Sequence, residues 1–128
     1  DLSSTLNLNL EYAGYTVSNI YFELGSYKIR GDSEDQLNKI VEALEAKPKL
    51  NIYIRSYADC RGSSSLNKRL TEKRSKAVRE YLTDNGISKK RITTESMGKT
   101  NLVNNCVRPK DCTEAEHALN RRSEFEFK

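Results

Sequence analysis

The chain has 128 residues, close to the modal size of one domain and enough for a single hydrophobic core. With 36% hydrophobic and 31% charged residues it has the balance of a globular domain rather than a disordered segment, and no apolar run approaches the roughly 20 residues that cross a bilayer. A formal net charge of +4 and a pI near 9.0 suit an anionic partner such as a nucleic acid, a glycopolymer or a membrane surface, but many of the basic residues fall on solvated helix faces.

Residues 1 to 17 are rich in Ser, Asn and Thr and keep no sustained period. They read as a linker or lead-in segment with a short strand around Tyr15 to Val17, ahead of a domain over 18–128. The start, DLSSTLNLNL, has neither the basic segment nor the continuous apolar run of a signal peptide. From Ile20 the pattern changes: Ile20, Phe22 and Leu24 alternate with Tyr21 and Glu23 as in a half-buried strand. Ser33 and Gln36 stand at capping-box spacing before Leu37, Ile40, Val41 and Leu44, which share one helical face, and Pro48 sets the limit of that helix. Leu50, Ile52 and Ile54 alternate with Asn51, Tyr53 and Arg55 in a second strand that yields to turn residues at Asp59 and Gly62. A long helix is expected from Ser64 to Asp84, closed by Asn85-Gly86. Arg91 to Met97 reads as a strand, 98–112 as a long loop, Glu114 to Leu119 as a short helix and Ser123 to Phe127 as a last strand. The expected fold is α/β (α+β): a two-layer sandwich, β-α-β-α-β-(short α)-β, with helices on one face of a mixed four-stranded sheet and right-handed crossovers.

Three cysteines, Cys60, Cys106 and Cys112, leave one over if two join. Cys106 and Cys112 close a short loop in the turn-rich NNCVRPKDC and are the natural pair, which points to an oxidising compartment; a reduced pair is the alternative. Cys60 is then a free thiol.

On the long helix, Leu66, Leu70, Ala77, Val78, Tyr81 and Leu82 take one half, while Lys68, Arg69, Glu72, Lys73, Ser75, Lys76, Arg79 and Glu80 take the other. Asn67 and Arg74 break the division, projecting on one line from the middle of the apolar half. An arginine facing a core needs an anion, because an unpaired buried charge costs several kcal/mol. Two readings stand side by side: an internal ion pair with Asp59 or Glu23, or a guanidinium fork at the bottom of a pocket, offered to a ligand carboxylate.

The run NIYIRSYADCRGSSSLNKRLTEKRSKAVREYL, Asn51 to Leu82, resembles the signature of OmpA-like C-terminal domains, with matches at Asp59, Gly62, Asn67, Leu70 and Arg74. The likeness extends to Ile20-Tyr21-Phe22, Gly86, Arg91-Ile92, Gly98 and Asn120-Arg121-Arg122, and so covers about residues 18 to 127. DCRG together with the ending CTEAEHALNRRSEFEF looks most like the Bacteroidetes-type branch.

The resemblance implies a non-enzymatic module that binds the peptide stem of peptidoglycan and ties an outer-membrane-associated protein to the cell wall from the periplasm, its membrane attachment lying outside this chain. The matching aspartate and arginine would clasp the far end of diaminopimelate. That end is a zwitterion, so a receptor needs an anion and a cation side by side: Asp59 for the ammonium and Arg74 for the carboxylate. Asn67, Leu70, Phe22, Glu23 and Arg121 complete the expected ligand-binding set, with one of Arg121 and Arg122 bracing the site or the fold. A stem bearing plain lysine would leave Arg74 unpaired, a penalty of roughly 1 to 3 kcal/mol. The chain departs from the family at Tyr57-Ala58, where His-Thr is common, and at Glu23, where many relatives carry aspartate.

Other chemistries fit less well. His117, the only histidine, has no nucleophile motif around it and reads as a packed or hydrogen-bonded helix residue. A zinc site from Cys60, Cys106, Cys112 and His117 lacks a C-x-x-C spacing, so no metal or cofactor is expected. A nucleic-acid module would use Tyr21, Tyr53 and Tyr57 as a stacking row, but the ribonucleoprotein Gly-aromatic signature is absent. An assembly domain would simply pair Asp59 with Arg74.

Overall fold

The computed structural model describes residues 9–12 and 15–128, with side chains from Val17 onward. A hairpin of β1 (Asn9–Tyr12) and β2 (Tyr15–Ser18) leads in. Next come β3 (Ile20–Tyr21), α1 (Glu34–Ala46), β4 (Ile52–Tyr57), α2 (Ser64–Asp84), β5 (Ile92–Gly98), α3 (Glu114–Ala118) and β6 (Arg122–Phe127). The strand expected around Tyr15 is present. Its partner β1 went unforeseen in the polar lead-in, where main-chain pairing needs no apolar alternation.

The four-stranded sheet has the order β3-β6-β4-β5, with β4 parallel to β5 and β6 antiparallel to both β3 and β4. The last strand thus fills the gap between β3 and β4. Ile52 and Ile54 of β4 and Phe125 and Phe127 of β6 turn one face of the sheet toward Leu37, Ile40 and Leu44 of α1 and Val78 and Leu82 of α2. Val17 and Ile20 join this core, and α1 also packs on β2.

Two local expectations change. The strand from Ile20 stops at Tyr21: Leu24 is exposed, and the chain turns at Glu23 to Ser26, closed by the Ser26 N–H donating to the Glu23 carbonyl at 3.0 Å. Gly25, at φ +69°, takes the left-handed backbone this turn needs. The Ser33–Gln36 capping box does not form: Ser33 makes no cap bond, and the Gln36 Oε1 accepts from the Ser18 N–H at 2.8 Å, tying α1 to the hairpin.

On the other sheet face Arg55 bridges Glu95 and Glu126 at 3.1 and 3.0 Å. The tyrosine row is partly covered, with Tyr21 and Tyr53 half-buried. The Arg122 guanidinium lies 3.8 Å from the Tyr57 ring centre, the Lys128 ammonium 4.1 Å from that of Tyr53, and Tyr57 is buried. No helix among the described residues is long and apolar enough to cross a membrane.

Candidate functional site

The carboxyl end of β4 delivers the acid. Pairing with β5 runs in register to Ser56–Ser96 and then skips Met97, so that Tyr57 faces Gly98. Such a bulge bends the strand end; here the Ala58 N–H donates to the Gly98 carbonyl at 2.7 Å, and Asp59 follows, buried at 4% exposure. Gly62, at φ +88°, then reverses the chain into α2, whose first turn is capped by the Ser63 hydroxyl accepting from the Leu66 N–H. The Asn67 amide donates to the Arg61 carbonyl at 2.8 Å and fixes this reversal.

Two turns along α2 lies Arg74, with no exposed surface. Its guanidinium meets no carboxylate within ion-pair distance among the described residues. It donates instead to three main-chain carbonyls, Ser26 at 2.8 Å, Glu23 at 3.2 Å and Tyr57 at 3.3 Å, with the Phe22 ring 5.0 Å away. The ion pair with Asp59 or Glu23, one of the two readings of the helix pattern, is therefore not formed. Burial and the neighbouring Arg121 charge push the Arg74 pKa down to about 10, against an opposing pull from Asp59, so the side chain is still cationic at neutral pH.

Asp59 is instead engaged by two other guanidiniums. Its Oδ2 accepts from Arg61 Nη2 at 2.8 Å and Arg121 Nη1 at 3.3 Å, and its Oδ1 accepts from the Arg61 N–H at 3.0 Å. Burial pushes the carboxyl up, but the hydrogen bonds and charge of Arg61 and the bond from Arg121 outweigh it and hold Asp59 below the usual carboxylate range. The same two arginines reach Glu114, at the start of α3: Arg61 by bonds of 2.7 and 3.1 Å, Arg121 by one of 3.1 Å. Those bonds, Arg61's first, draw the Glu114 carboxyl down as well. Asp59 and Glu114 thus sandwich two cations and balance them, leaving Arg74 as the uncompensated charge.

Asp59, Asn67, Leu70, Arg74 and Arg121 all line one cavity of about 110 Å³, together with Leu24, Gly25, Ala58 and Arg61. Phe22 and Glu23 contribute differently. The Phe22 ring is in the core while its carbonyl accepts from Arg121 Nε at 2.9 Å; the Glu23 carboxylate is exposed and 3.7 Å from Arg30, so only its carbonyl touches Arg74. Of the arginine pair, Arg121 joins the site and Arg122 braces the fold through Glu124, Asn120 and Asn101. Sequence reasoning missed Arg61 and Glu114, which stand 53 residues apart on stretches with no shared period; the capping box Thr113–Glu116, legible as T-x-x-E, was the available marker of where α3 begins.

Cys106 and Cys112 are joined in a disulfide, with Cα atoms 5.6 Å apart, and Cys60 is a free thiol. With both sulfurs consumed, the cysteine–histidine quartet has no two thiolates to offer. His117 is buried, its Nε2 bonded to the Pro109 carbonyl at 2.8 Å.

The profile of the OmpA family matches residues 21–115. The peptidoglycan-associated lipoprotein of Brucella melitensis is 34% identical over 87 residues, 68% of this chain and 52% of that protein; the chain spans about half the length of the curated relatives it matches. Among solved structures, the peptidoglycan-associated lipoprotein of Burkholderia pseudomallei superposes with a TM-score of 0.78 at 29% identity, covering 86% of this chain and 89% of that one. The cell wall anchor of the type VI secretion system (T6SS) of Pseudomonas aeruginosa shares the fold at a TM-score of 0.67 and 24% identity, covering 86% and 78% of the two chains.

Proposed function

The chain belongs to the OmpA family, and from that premise we propose that it binds the stem peptide of peptidoglycan without catalysis and anchors a protein of the bacterial outer membrane to the wall from the periplasm. One observation carries the reading: a buried guanidinium, Arg74, which among the described residues has no carboxylate within ion-pair distance, lines the same small cavity as a buried carboxylate, Asp59.

The ligand group is the zwitterionic end of diaminopimelate. Its carboxylate takes the part of the Arg74 fork that the three carbonyls leave unused, and its ammonium takes the remaining lone pair of Asp59 Oδ1. A charge kept in a dry site without a counter-ion raises the energy of the empty state, and a ligand carboxylate relieves it. Leu70 and Leu24 supply apolar walls for the methylene chain, and Asn67 holds the turn that presents Asp59. The Arg74 side chain has no exposed surface of its own, and Leu24 and Gly25 line the cavity beside it. Tyr57-Ala58 lacks the side-chain hydroxyl of the commoner His-Thr, while the position-57 carbonyl that helps hold Arg74 is a main-chain group that any residue there offers.

Calorimetric titration of the domain with a diaminopimelate stem peptide, set against a lysine stem and against Arg74→Ala, tests this. Binding by wild type that is lost with the lysine stem and in the variant supports it. A folded wild type that binds neither peptide refutes it.

A further inference from the structure

Resting on that reading of the pocket, we propose that Glu114 is a positioning residue that sets the site's preference for a ligand bearing an ammonium beside its carboxylate. It does so by taking up the charge of Arg61 and Arg121 so that Asp59 stays open to the ligand. Without Glu114, the cavity would present Arg61, Arg74 and Arg121 to a single acid, an excess of two positive charges beside the spot where the ammonium must sit. Glu114 halves that excess. Its two oxygens take three of the bonds that these guanidiniums make, and Arg61 Nη2 and Arg121 Nη1 are each shared between Glu114 and Asp59 Oδ2. Both cations are thereby held on the Oδ2 side, and among the described residues Oδ1 has only the Arg61 N–H as donor.

Glu114 reaches this position because its backbone is fixed from both sides. Thr113 and Glu116 exchange capping-box bonds at the start of α3. Asn120, fully buried, accepts from the Val103 N–H and donates to Asn104, and the Cys106–Cys112 bridge closes the intervening loop. The carboxylate itself is largely exposed, so its loss leaves no cavity in the core.

The readout is the ratio of affinities for two stem peptides, one ending in diaminopimelate and one in 2-aminopimelate, which keeps the terminal carboxylate but lacks the ammonium. In Glu114→Gln the diaminopimelate stem is expected to bind about tenfold more weakly, while the 2-aminopimelate stem binds at least as tightly as to wild type. Glu114→Asp restores part of the ratio, and Arg61→Gln moves it the opposite way. In ligand-free protein, carbon-detected NMR should find the Asp59 carboxyl titrating at lower pH in Glu114→Gln than in wild type. Equal loss of both peptides, which a merely structural brace would give, overturns the proposal, as does an unchanged ratio with an unchanged Asp59 titration. A wild type that binds neither peptide overturns the wall reading, and this ligand assignment with it; a wild type that discriminates as fully as Glu114→Gln does overturns this inference alone.

Discussion

Arg74 and Arg91 meet the same requirement at opposite ends of β4. Each guanidinium donates to three main-chain carbonyls: Arg74 to Glu23, Ser26 and Tyr57, Arg91 to Leu44, Lys47 and Leu50. At the Arg91 end the carbonyls of Leu44 and Lys47 belong to the end of α1, where a helix leaves acceptors unpaired and favours a cation, and Arg91 is half-buried with water at hand. At the Arg74 end no helix terminus calls for the charge, water is excluded, and a carboxylate lies in the same cavity. Nor does size pick out the site. The cavity beside the α1 end, lined by Lys47, Pro48, Lys49, Leu50 and Lys128, is about 440 Å³ against about 110 Å³ for the one that holds Asp59 and Arg74. Carbonyl coordination of an arginine is thus a structural device at one end and, joined to burial and an adjacent acid, the proposed recognition element at the other.

The comparison can be broken from either side. The largest effect is expected from Asp59→Asn, which should weaken diaminopimelate-stem binding about a hundredfold while the domain still folds, because one partner of a buried charge set is removed; calorimetry together with circular dichroism checks it. Arg91→Ala should cost about 2 kcal/mol of unfolding free energy through unsatisfied helix-end carbonyls and leave affinity unchanged in the same titration. If Arg91→Ala abolished binding, the two ends would not be separable. A test of the packing beside the Arg74 end is Ser56→Ala, which opens the buried Ser75–Ser56–Ser123 hydroxyl chain with its 2.8 and 2.7 Å contacts; urea melts should read a loss of about 1 kcal/mol.

The smallest effect is that of acid. Asp59 and Glu114 both have carboxyls lowered in the folded state. Their contribution is therefore fully present above the ordinary carboxylate range, about pH 4, and is lost as pH falls through their depressed folded values. Stem-peptide affinity should hold from neutral pH down to about 4 and decline below it. A decline centred near pH 6 would contradict the assignment of Asp59 as the ammonium acceptor.

Much of this was legible in the chain. The periods of α1, β4, α2, β5 and β6 predicted those elements to within a few residues, and the polar line Asn67–Arg74 in an apolar helix face marked two side chains turned toward the core or a cleft, where both are buried. The errors have physical causes. Leu66 counted as apolar face, yet it is exposed. Ser75 and Thr71 are buried despite their polarity: each hydroxyl has a partner, Ser56 for one and the Asn67 and Lys68 carbonyls for the other, and hydrophobic periodicity does not register hydrogen-bonding capacity. Of the two readings of Arg74, the internal ion pair is not formed, and within the chain main-chain carbonyls hold the guanidinium. Since every residue carries such an acceptor, they leave no mark in the sequence.

The place of β6 between β3 and β4 has a consequence for the order in which the protein becomes competent. A ribosome extends the chain from its amino end, and β3 and β4, both complete by residue 57, are joined in one sheet only when the stretch from Arg122 to Phe127 comes to lie between them and pairs with each. Arg121, the residue that connects the Phe22 carbonyl to Asp59, arrives with that same stretch. Until that stretch has joined, the sheet is unbridged between β3 and β4 and the cavity is short of Arg121, so sheet and cavity are completed in the same step.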